Sequence, residues 1–252
     1  MGLRSSFLAL VCILLNAPSF AQGGIEDTSI AMVPITLSYA YQLPGGDLGN
    51  RFGPNHNVGL SVTRKFRSNY SLGLEGAFIF GNQVQDKSML RDITTSNGVI
   101  VNQDGNPAKI LLYERGYTVM AVAGKLMPIA GPNPNSGILL KLGAGYMRHK
   151  VLIESQNDVV PALEGEYVKG YDRLAAGPAA LFFVGYQHLS NNRRINFLVG
   201  FELNMGFTQS LRPYNFDARR ADTGTHFDGL NGLRVGWTLP IYKARDNREY
   251  YR

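Results

Sequence analysis

Cysteine is almost missing from this chain of 252 residues. The one cysteine, Cys12, lies in an apolar N-terminal run that has the pattern of a signal peptide. With residues 1–21 removed, the mature chain from Gln22 onward has no thiol. Disulfide cross-links, thiol catalysis and cysteine-ligated metal sites are then excluded.

A hydrophobic run long enough for a transmembrane helix is also missing. The N-terminal run Phe7–Leu15 has nine residues, follows Arg4 and is followed by small residues at Ser19 and Ala21. This order predicts a secretory signal peptide over residues 1–21. No later segment approaches the roughly 20 apolar residues that a membrane helix requires. Any membrane crossing must therefore be made by β-strands.

Charge is sparse and only mildly positive. The chain has 25 lysine and arginine residues against 19 aspartate and glutamate residues, a net charge of +6 that falls by one with the loss of Arg4. This excess gives no case for a nucleic-acid partner. The sequence has no glycine-rich phosphate loop and no spaced set of metal ligands, so we expect no cofactor and no bound metal.

The sequence is rich in segments in which apolar side chains alternate with small or polar ones. The clearest example is the segment 195–208, in which the apolar positions are Ile195, Phe197, Val199, Phe201, Leu203, Met205 and Phe207. Such a segment predicts a strand with one apolar face. Its 14 residues exceed the usual length of a soluble strand and suffice to cross a bilayer, which needs roughly 9 to 11 tilted residues.

Eight such strands are predicted along the mature chain. They are 32–43, 56–66, 70–81, 113–126, 137–149, 176–188, 195–208 and 229–242. Short turn-rich links alternate with long polar links, and both termini fall on the short-turn side. This pattern predicts an all-β domain over residues 22–252, an eight-stranded antiparallel transmembrane β-barrel in a bacterial outer membrane.

The signal peptide, the eight strands, the loop alternation and the aromatic strand ends together resemble the small outer-membrane barrels of Gram-negative bacteria, in particular the transmembrane domain of the OmpA class. The loop phrases at 41–48, 131–137 and 170–173 are also similar to uncharacterised barrels of Bacteroidota. The resemblance implies an outer-membrane location and names no activity. One departure concerns the last strand, because ten residues follow Tyr242; the assembly signal is either Trp237–Tyr242 or the terminal Tyr250–Tyr251.

The face opposite the apolar one predicts what fills the barrel. It carries small residues suited to a crowded lumen, whereas the water-facing sheet of a secreted lipocalin-like barrel would carry more lysine and glutamate. The mid-strand charges lie on this same face: Lys65, Glu75, Lys141, Glu202 and Arg234. Counted from the short turns, Glu202 and Arg234 fall at nearly equal height and are expected to pair, and Glu75 is expected to pair with Lys141 or Lys65. Paired charges predict a plugged lumen that stabilises the fold; a gated proton or ion path is the alternative.

The long links are where chemistry or recognition would reside. His56, His149 and His226 lie near strand ends, yet the acidic and hydroxyl residues beside them are neighbours in sequence only, so we expect no catalytic residues and no enzyme. The link 209–228 carries Arg212, Arg219 and Arg220, which either contact lipopolysaccharide phosphates or are simply solvated.

Taken together, the sequence predicts a non-enzymatic structural or interaction barrel of the cell envelope. Its expected partners are outer-membrane lipid, lipopolysaccharide and an envelope protein, for instance in a secretion or assembly complex. The alternatives are a narrow channel or porin, a lipid A-modifying barrel enzyme, and a secreted lipocalin-like binding barrel.

Overall fold

The computed structural model describes residues 28–156, 159–191 and 194–242. The predicted signal peptide 1–21, with Cys12, and the terminal pair Tyr250–Tyr251 lie outside the described residues. The strands are β1 (Met32–Gly45), β2 (Asn55–Lys65), β3 (Tyr70–Gly81), β4 (Ile110–Met127), β5 (Gly137–Ser155), β6 (Ala175–Leu189), β7 (Asn196–Ser210) and β8 (Thr225–Tyr242). Four short helices lie in the long links: α1 (Gly46–Arg51) and three 3₁₀ helices, Lys87–Ile93, Pro161–Leu163 and Tyr167–Gly170.

The eight strands form one closed sheet. Each strand is antiparallel to the next, and β8 closes the ring against β1 from Met32↔Tyr242 to Gly45↔Gly229. The prediction of an eight-stranded antiparallel barrel is therefore confirmed. β4 and β5 are longer than predicted, with 18 and 19 residues, because their pairing continues past the alternating segment as far as Ile110↔Ser155.

Side chains of the strands alternate between a buried inner face and an exposed, apolar outer face. In β7, Asn196, Glu202 and Thr208 are at most 3% exposed, whereas Phe201 and Phe207 are 39% and 51% exposed. The outer face is apolar on every strand. On seven strands this is shown by exposed side chains, namely Leu37, Leu60, Leu74, Val119, Leu142, Phe201 and Leu233, and on β6 the outward-facing Phe182 and Val184 are half-buried. A continuous apolar belt of this kind would be unstable in water and is suited to hydrocarbon, so the barrel spans a membrane.

Aromatic side chains mark both edges of this belt. Near the long links, the Tyr39 hydroxyl lies 2.7 Å from His56 Nδ1, and the His56 ring stacks on Phe80. Near the short turns, the His188 ring stacks on Phe197 with centroids 4.9 Å apart. Rings with polar groups are favoured where hydrocarbon meets the polar headgroups, so these two girdles place the membrane boundaries.

The inside of the barrel is packed with apolar side chains above and below its middle. The cluster toward the long links includes Leu48 and Phe52, which α1 and the residue after it bring into the barrel mouth; both are 1% exposed. The cluster toward the short turns consists of Leu126, Leu139, Phe183 and Leu198. Among the described residues, no helix is long and apolar enough to cross a membrane.

Phe183 requires a glycine on the neighbouring strand. A Cβ at Gly200 would lie 2.5 Å from Phe183 Cζ and 2.4 Å from the Val184 carbonyl oxygen. The glycine at this inward-facing position therefore makes room for the ring that fills the lumen.

Amide side chains close the short-turn end. Asn135 Oδ1 accepts hydrogen bonds from Lys65 Nζ at 2.9 Å and from the Ile30 backbone N–H at 2.9 Å. Asn133 donates to the Leu189 carbonyl at 2.6 Å. These bonds tie the segment before β1 and two turns together, so buried polar groups at this end are satisfied by specific partners.

Candidate functional site: the lumen network and the long-link end

Four charged side chains meet in the middle of the lumen. Lys141 Nζ donates to Glu75 Oε2 at 2.7 Å, and the Arg234 guanidinium forms ion pairs with both Glu75 and Glu202. Gln42 Nε2 donates to Glu202 Oε1 at 2.6 Å. These five residues, the lumen network, come from five of the eight strands, so the network ties together strands that are not neighbours in the sheet.

The strand register explains how Glu202 and Arg234 meet. The structure pairs Glu202 with Gly232 and Arg234 with Gly200, so the two side chains are offset by two residues along neighbouring strands. They are therefore diagonal and not level, and the long arginine side chain spans the difference. Inward parity places both in the lumen, and the glycine opposite each leaves space for it.

The lumen network is buried and balanced in formal charge. Glu75, Lys141, Glu202 and Arg234 are each at most 5% exposed, and two acids face two bases. The Phe183 ring covers one side, with its centroid 5.5 Å from Lys141 Nζ and 5.9 Å from Arg234 Cζ. Removing one member would leave an uncompensated buried charge, which is far more costly than the net stabilisation of the intact set.

Lys65 is not part of this network. Its ammonium donates to Ser29 Oγ at 3.0 Å, the Ile30 carbonyl at 3.1 Å and Asn135 Oδ1. The predicted pairing of Glu75 with Lys65 is therefore wrong, whereas the alternative partner Lys141 lies beside Glu75. Lys65 ends β2 and so belongs to the short-turn layer, and closeness along the barrel axis decided the partner.

A second polar group lies in the upper lumen. His149 Nε2 is 2.8 Å from Asp228 Oδ2, and the Thr208 hydroxyl donates to the same oxygen. His149 is 2% exposed, and the Phe52 ring lies edge-on to it at 6.2 Å. The sequence neighbours of His149 do not form the contact; Asp228 of β8 does. In a base-activated nucleophile the imidazole lies between the hydroxyl and the carboxylate. Here both Thr208 and His149 contact the Asp228 carboxylate, so His149 is not placed to activate the hydroxyl.

Two ion pairs join the long links β5–β6 (156–174) and β7–β8 (211–224). Arg212 Nε donates to Asp172 Oδ1 at 2.8 Å, and Arg173 pairs with Asp217. The bond to Asp172 raises the pKa of Arg212 above its usual value. Arg212 is thus held within the protein and is not free for lipopolysaccharide, unlike Arg219 and Arg220, whose side chains are exposed.

Comparison with known proteins finds similar solved structures and no family. No protein-family model and no curated protein matches the chain. Among solved structures, it is similar to the attachment invasion locus protein Ail of Yersinia pestis, crystallised with the heparin analogue sucrose octasulfate, with TM-score 0.43, 13% identity, and coverage of 83% of this chain and 99% of that chain.

Two further solved structures have the same kind of likeness. Neisserial surface protein A has TM-score 0.41, 10% identity, and coverage of 81% of this chain and 96% of that chain. The N-terminal β-barrel domain of Pseudomonas aeruginosa OprF has TM-score 0.35, 10% identity, and coverage of 82% and 98%. All three are small eight-stranded outer-membrane barrels, and at this level of identity the likeness concerns the fold alone.

Proposed function

We propose that this protein is a non-enzymatic barrel of the bacterial outer membrane, closed to solutes, that serves as a rigid base for its four long links. The observation that carries the proposal is the lumen network, which lies between two apolar clusters and crosses the barrel from side to side. Eight strands enclose an interior just wide enough for side chains to fill.

The remaining space in the lower lumen supports closure. The cavity lined by Lys65, Lys141 and Leu139 has a volume of about 30 Å³. This is enough for about one or two water molecules. Above it, Phe183 and Arg234 are buried, and this packing supports a barrel without a route for a hydrated ion or a nutrient.

The polar group of the upper lumen supports a barrel that is not an enzyme. A barrel enzyme acting on lipid A needs an exposed base beside a nucleophile or a bound water. His149 is instead buried under Phe52, and its partner Asp228 is 2% exposed. Asp228 and His149 are thus placed to brace β5, β7 and β8.

The partners in this proposal follow from the two surfaces. Outer-membrane lipid covers the apolar belt, and the exposed guanidinium groups of Arg219 and Arg220 contact lipopolysaccharide phosphates at the long-link end. An envelope protein, in a secretion or assembly complex, binds the long links, whose conformation is held by the ion pairs of Arg212 and Arg173.

Conductance in planar lipid bilayers tests closure. The refolded protein is expected to give no discrete current steps in concentrated KCl. The double variant Glu202→Ser with Arg234→Ser is the matched control, because it removes the bulk of the lumen network while keeping hydrogen-bonding side chains. Once gel mobility has verified its folding, this variant is expected to show a small current. Regular current steps from the unmodified barrel would contradict the proposal.

Crosslinking in intact outer membranes tests the partner. A photo-crosslinker at Tyr167, a side chain of the long links that is 64% exposed, is expected to capture a defined envelope protein. The same crosslinker at the belt residue Leu233, which is 67% exposed, is expected to capture lipid only. Identical products at the two positions would contradict an interaction surface on the long links.

A further inference from the structure

A polar pocket lies at the barrel mouth where all four long links meet. Its volume is about 470 Å³. The side chains that line it include Arg51 of α1, Asp86 of the β3–β4 link, Arg173 of the β5–β6 link, and Asn215, Arg220 and His226 of the β7–β8 region. Because every long link contributes, this pocket depends on the assembled barrel and not on any one loop.

Two of its three arginines form no ion pair with another described residue. Within the described residues, the side chains of Arg51 and Arg220 make no ion pair or hydrogen bond, whereas Arg173 is paired with Asp217. Burial, with a smaller contribution from Arg173, lowers the pKa of Arg51 against the opposing influence of Asp228, Asp86 and Asp222. A partly desolvated guanidinium without a partner is costly, and an anionic ligand would remove that cost.

The walls of the pocket are fixed before any ligand arrives. Arg173 has φ +50°, a left-handed conformation that is unfavourable for arginine, and its ion pair with Asp217 holds it there. His226 Nε2 lies 2.9 Å from Asp222 Oδ2 at the other wall. Pre-organised walls reduce the entropy lost on binding, so a small ligand gains affinity from contacts it makes.

We propose that this pocket binds a sugar carrying a phosphate monoester. A phosphate monoester has a charge of about −1.5 to −2 at neutral pH, and its three oxygens can accept hydrogen bonds from the guanidinium groups of Arg51 and Arg220 together. The carboxylates Asp86 and Asp222 of the same lining are acceptors for sugar hydroxyls and not for the phosphate. The pocket is larger than a phosphate group, and its further lining by Asn215, Thr223 and Asp222 offers partners for sugar hydroxyls. The proposal does not depend on closure of the lumen, because the pocket opens on the long-link side.

Calorimetric titration tests this proposal on the full-length barrel in a detergent without sugar groups. Glucose 6-phosphate is the probe, with glucose and inorganic phosphate as separate ligands. Glucose 6-phosphate is expected to bind, and more tightly than either fragment. Arg51→Gln and Arg220→Gln are each expected to weaken binding by at least about tenfold, as expected for a lost charged hydrogen bond.

Arg91→Gln is the matched control, because Arg91 is an exposed arginine of the β3–β4 link and does not line the pocket. It is expected to leave affinity unchanged. No binding of glucose 6-phosphate, or equal binding by the Arg220→Gln variant, would overturn the proposal. Because Arg220 is exposed, its substitution should not impair folding, so this outcome does not depend on whether Arg51→Gln folds. Inorganic phosphate that binds as tightly as glucose 6-phosphate would overturn the sugar specificity.

Nanodiscs distinguish the source of the sugar phosphate. If the natural ligand is a lipopolysaccharide headgroup, discs that contain lipopolysaccharide are expected to abolish binding of free glucose 6-phosphate, relative to discs of phosphatidylcholine. If the ligand is a free solute, both discs are expected to bind it equally. Either result supports the pocket, provided that Arg220→Gln removes the effect.

Discussion

The middle of the lumen and its long-link end are both filled by side chains, but these are held by different interactions. In the middle, two acids and two bases compensate each other across the barrel. At the long-link end, Leu48, Phe52 and Met89 pack into one apolar cluster, each at most 1% exposed. The ion pairs between the long links, here called rim ion pairs, are largely buried too; in the pair of Asp172 with Arg212 the side chains are 5% and 17% exposed.

Because their interactions differ, the regions should respond differently to the loss of a side chain. A charge network depends on every member, because each remaining charge stays buried without compensation. An apolar cluster loses burial and gains a cavity in proportion to the atoms removed. The cation of a rim ion pair is more exposed than the lumen network, and an amide in place of its acid still accepts a hydrogen bond, so this substitution should cost least. Loss of a network member, of a buried ring and of a rim ion pair should therefore destabilise the barrel to three different degrees, whereas an isosteric substitution that keeps the hydrogen bonds of a network member should cost less than its removal.

The largest effect is expected for Arg234→Met in the middle of the lumen. It leaves Glu75 and Glu202 with one cation, Lys141, and should lower the free energy of unfolding by about 4 kcal/mol. Urea unfolding in lipid vesicles measures this. Arg64→Met, at an exposed outward position of β2, is the control and should change stability by less than about 0.5 kcal/mol. Equal stabilities of the two variants would refute the network.

Phe52→Ala should lower the unfolding free energy by about 3 kcal/mol, because it removes a fully buried ring from the long-link cluster. Tyr167→Ala removes an exposed ring from another long link and should be nearly neutral. The same urea titration compares them. A loss below 1 kcal/mol for Phe52→Ala would show that α1 does not seal the barrel mouth.

Glu202→Gln should have a smaller effect, about 1.5 kcal/mol, because the amide oxygen still accepts hydrogen bonds while the charge balance is lost. The measured quantity is the melting temperature of the refolded barrel, with the exposed Glu164→Gln as the control. A melting profile identical to that of the unmodified protein would show that Glu202 is not needed to compensate Arg234.

Asp172→Asn should give the smallest loss, about 1 kcal/mol, because the amide oxygen still accepts a hydrogen bond from Arg212, which is 17% exposed, although Asp172 itself is 5% exposed. Glu166→Gln, in the exposed pair with Lys169, should give no measurable change. Melting in low and high salt separates the two variants. A loss as large as that of Arg234→Met would erase the distinction between rim and middle.

The sequence predicts the middle of the barrel better than its long-link end, for a physical reason. Alternation is dictated by the two environments of each strand, so parity assigns Glu202 and Arg234 to the lumen. Height counted from the short turns then brings them close. Gln42 and the bridging position of Glu75 are not predicted, because contacts across the lumen depend on how the closed sheet is staggered.

The sequence pattern predicts little of the structure at the long-link end. The six residues of α1 contain two glycines and are too short for a helical periodicity, so the helix is not predicted. The pairing of Arg212 with Asp172 joins links that are 40 residues apart. Only the folded barrel brings such links together. The sequence alone therefore does not decide whether Arg212 is solvated or contacts an external phosphate.

Site-directed spin labelling tests most directly the claim that the apolar belt faces hydrocarbon. Cys12 is the only cysteine of the chain, so Phe201→Cys and Leu211→Cys in the chain without residues 1–21 each give one label site. In lipid vesicles, a label at Phe201, which is 39% exposed on the outer face, should be relaxed by oxygen and not by an aqueous nickel reagent; a label at Leu211, at the long-link end, should respond to the nickel reagent. Strong relaxation of the Phe201 label by the nickel reagent would contradict the account.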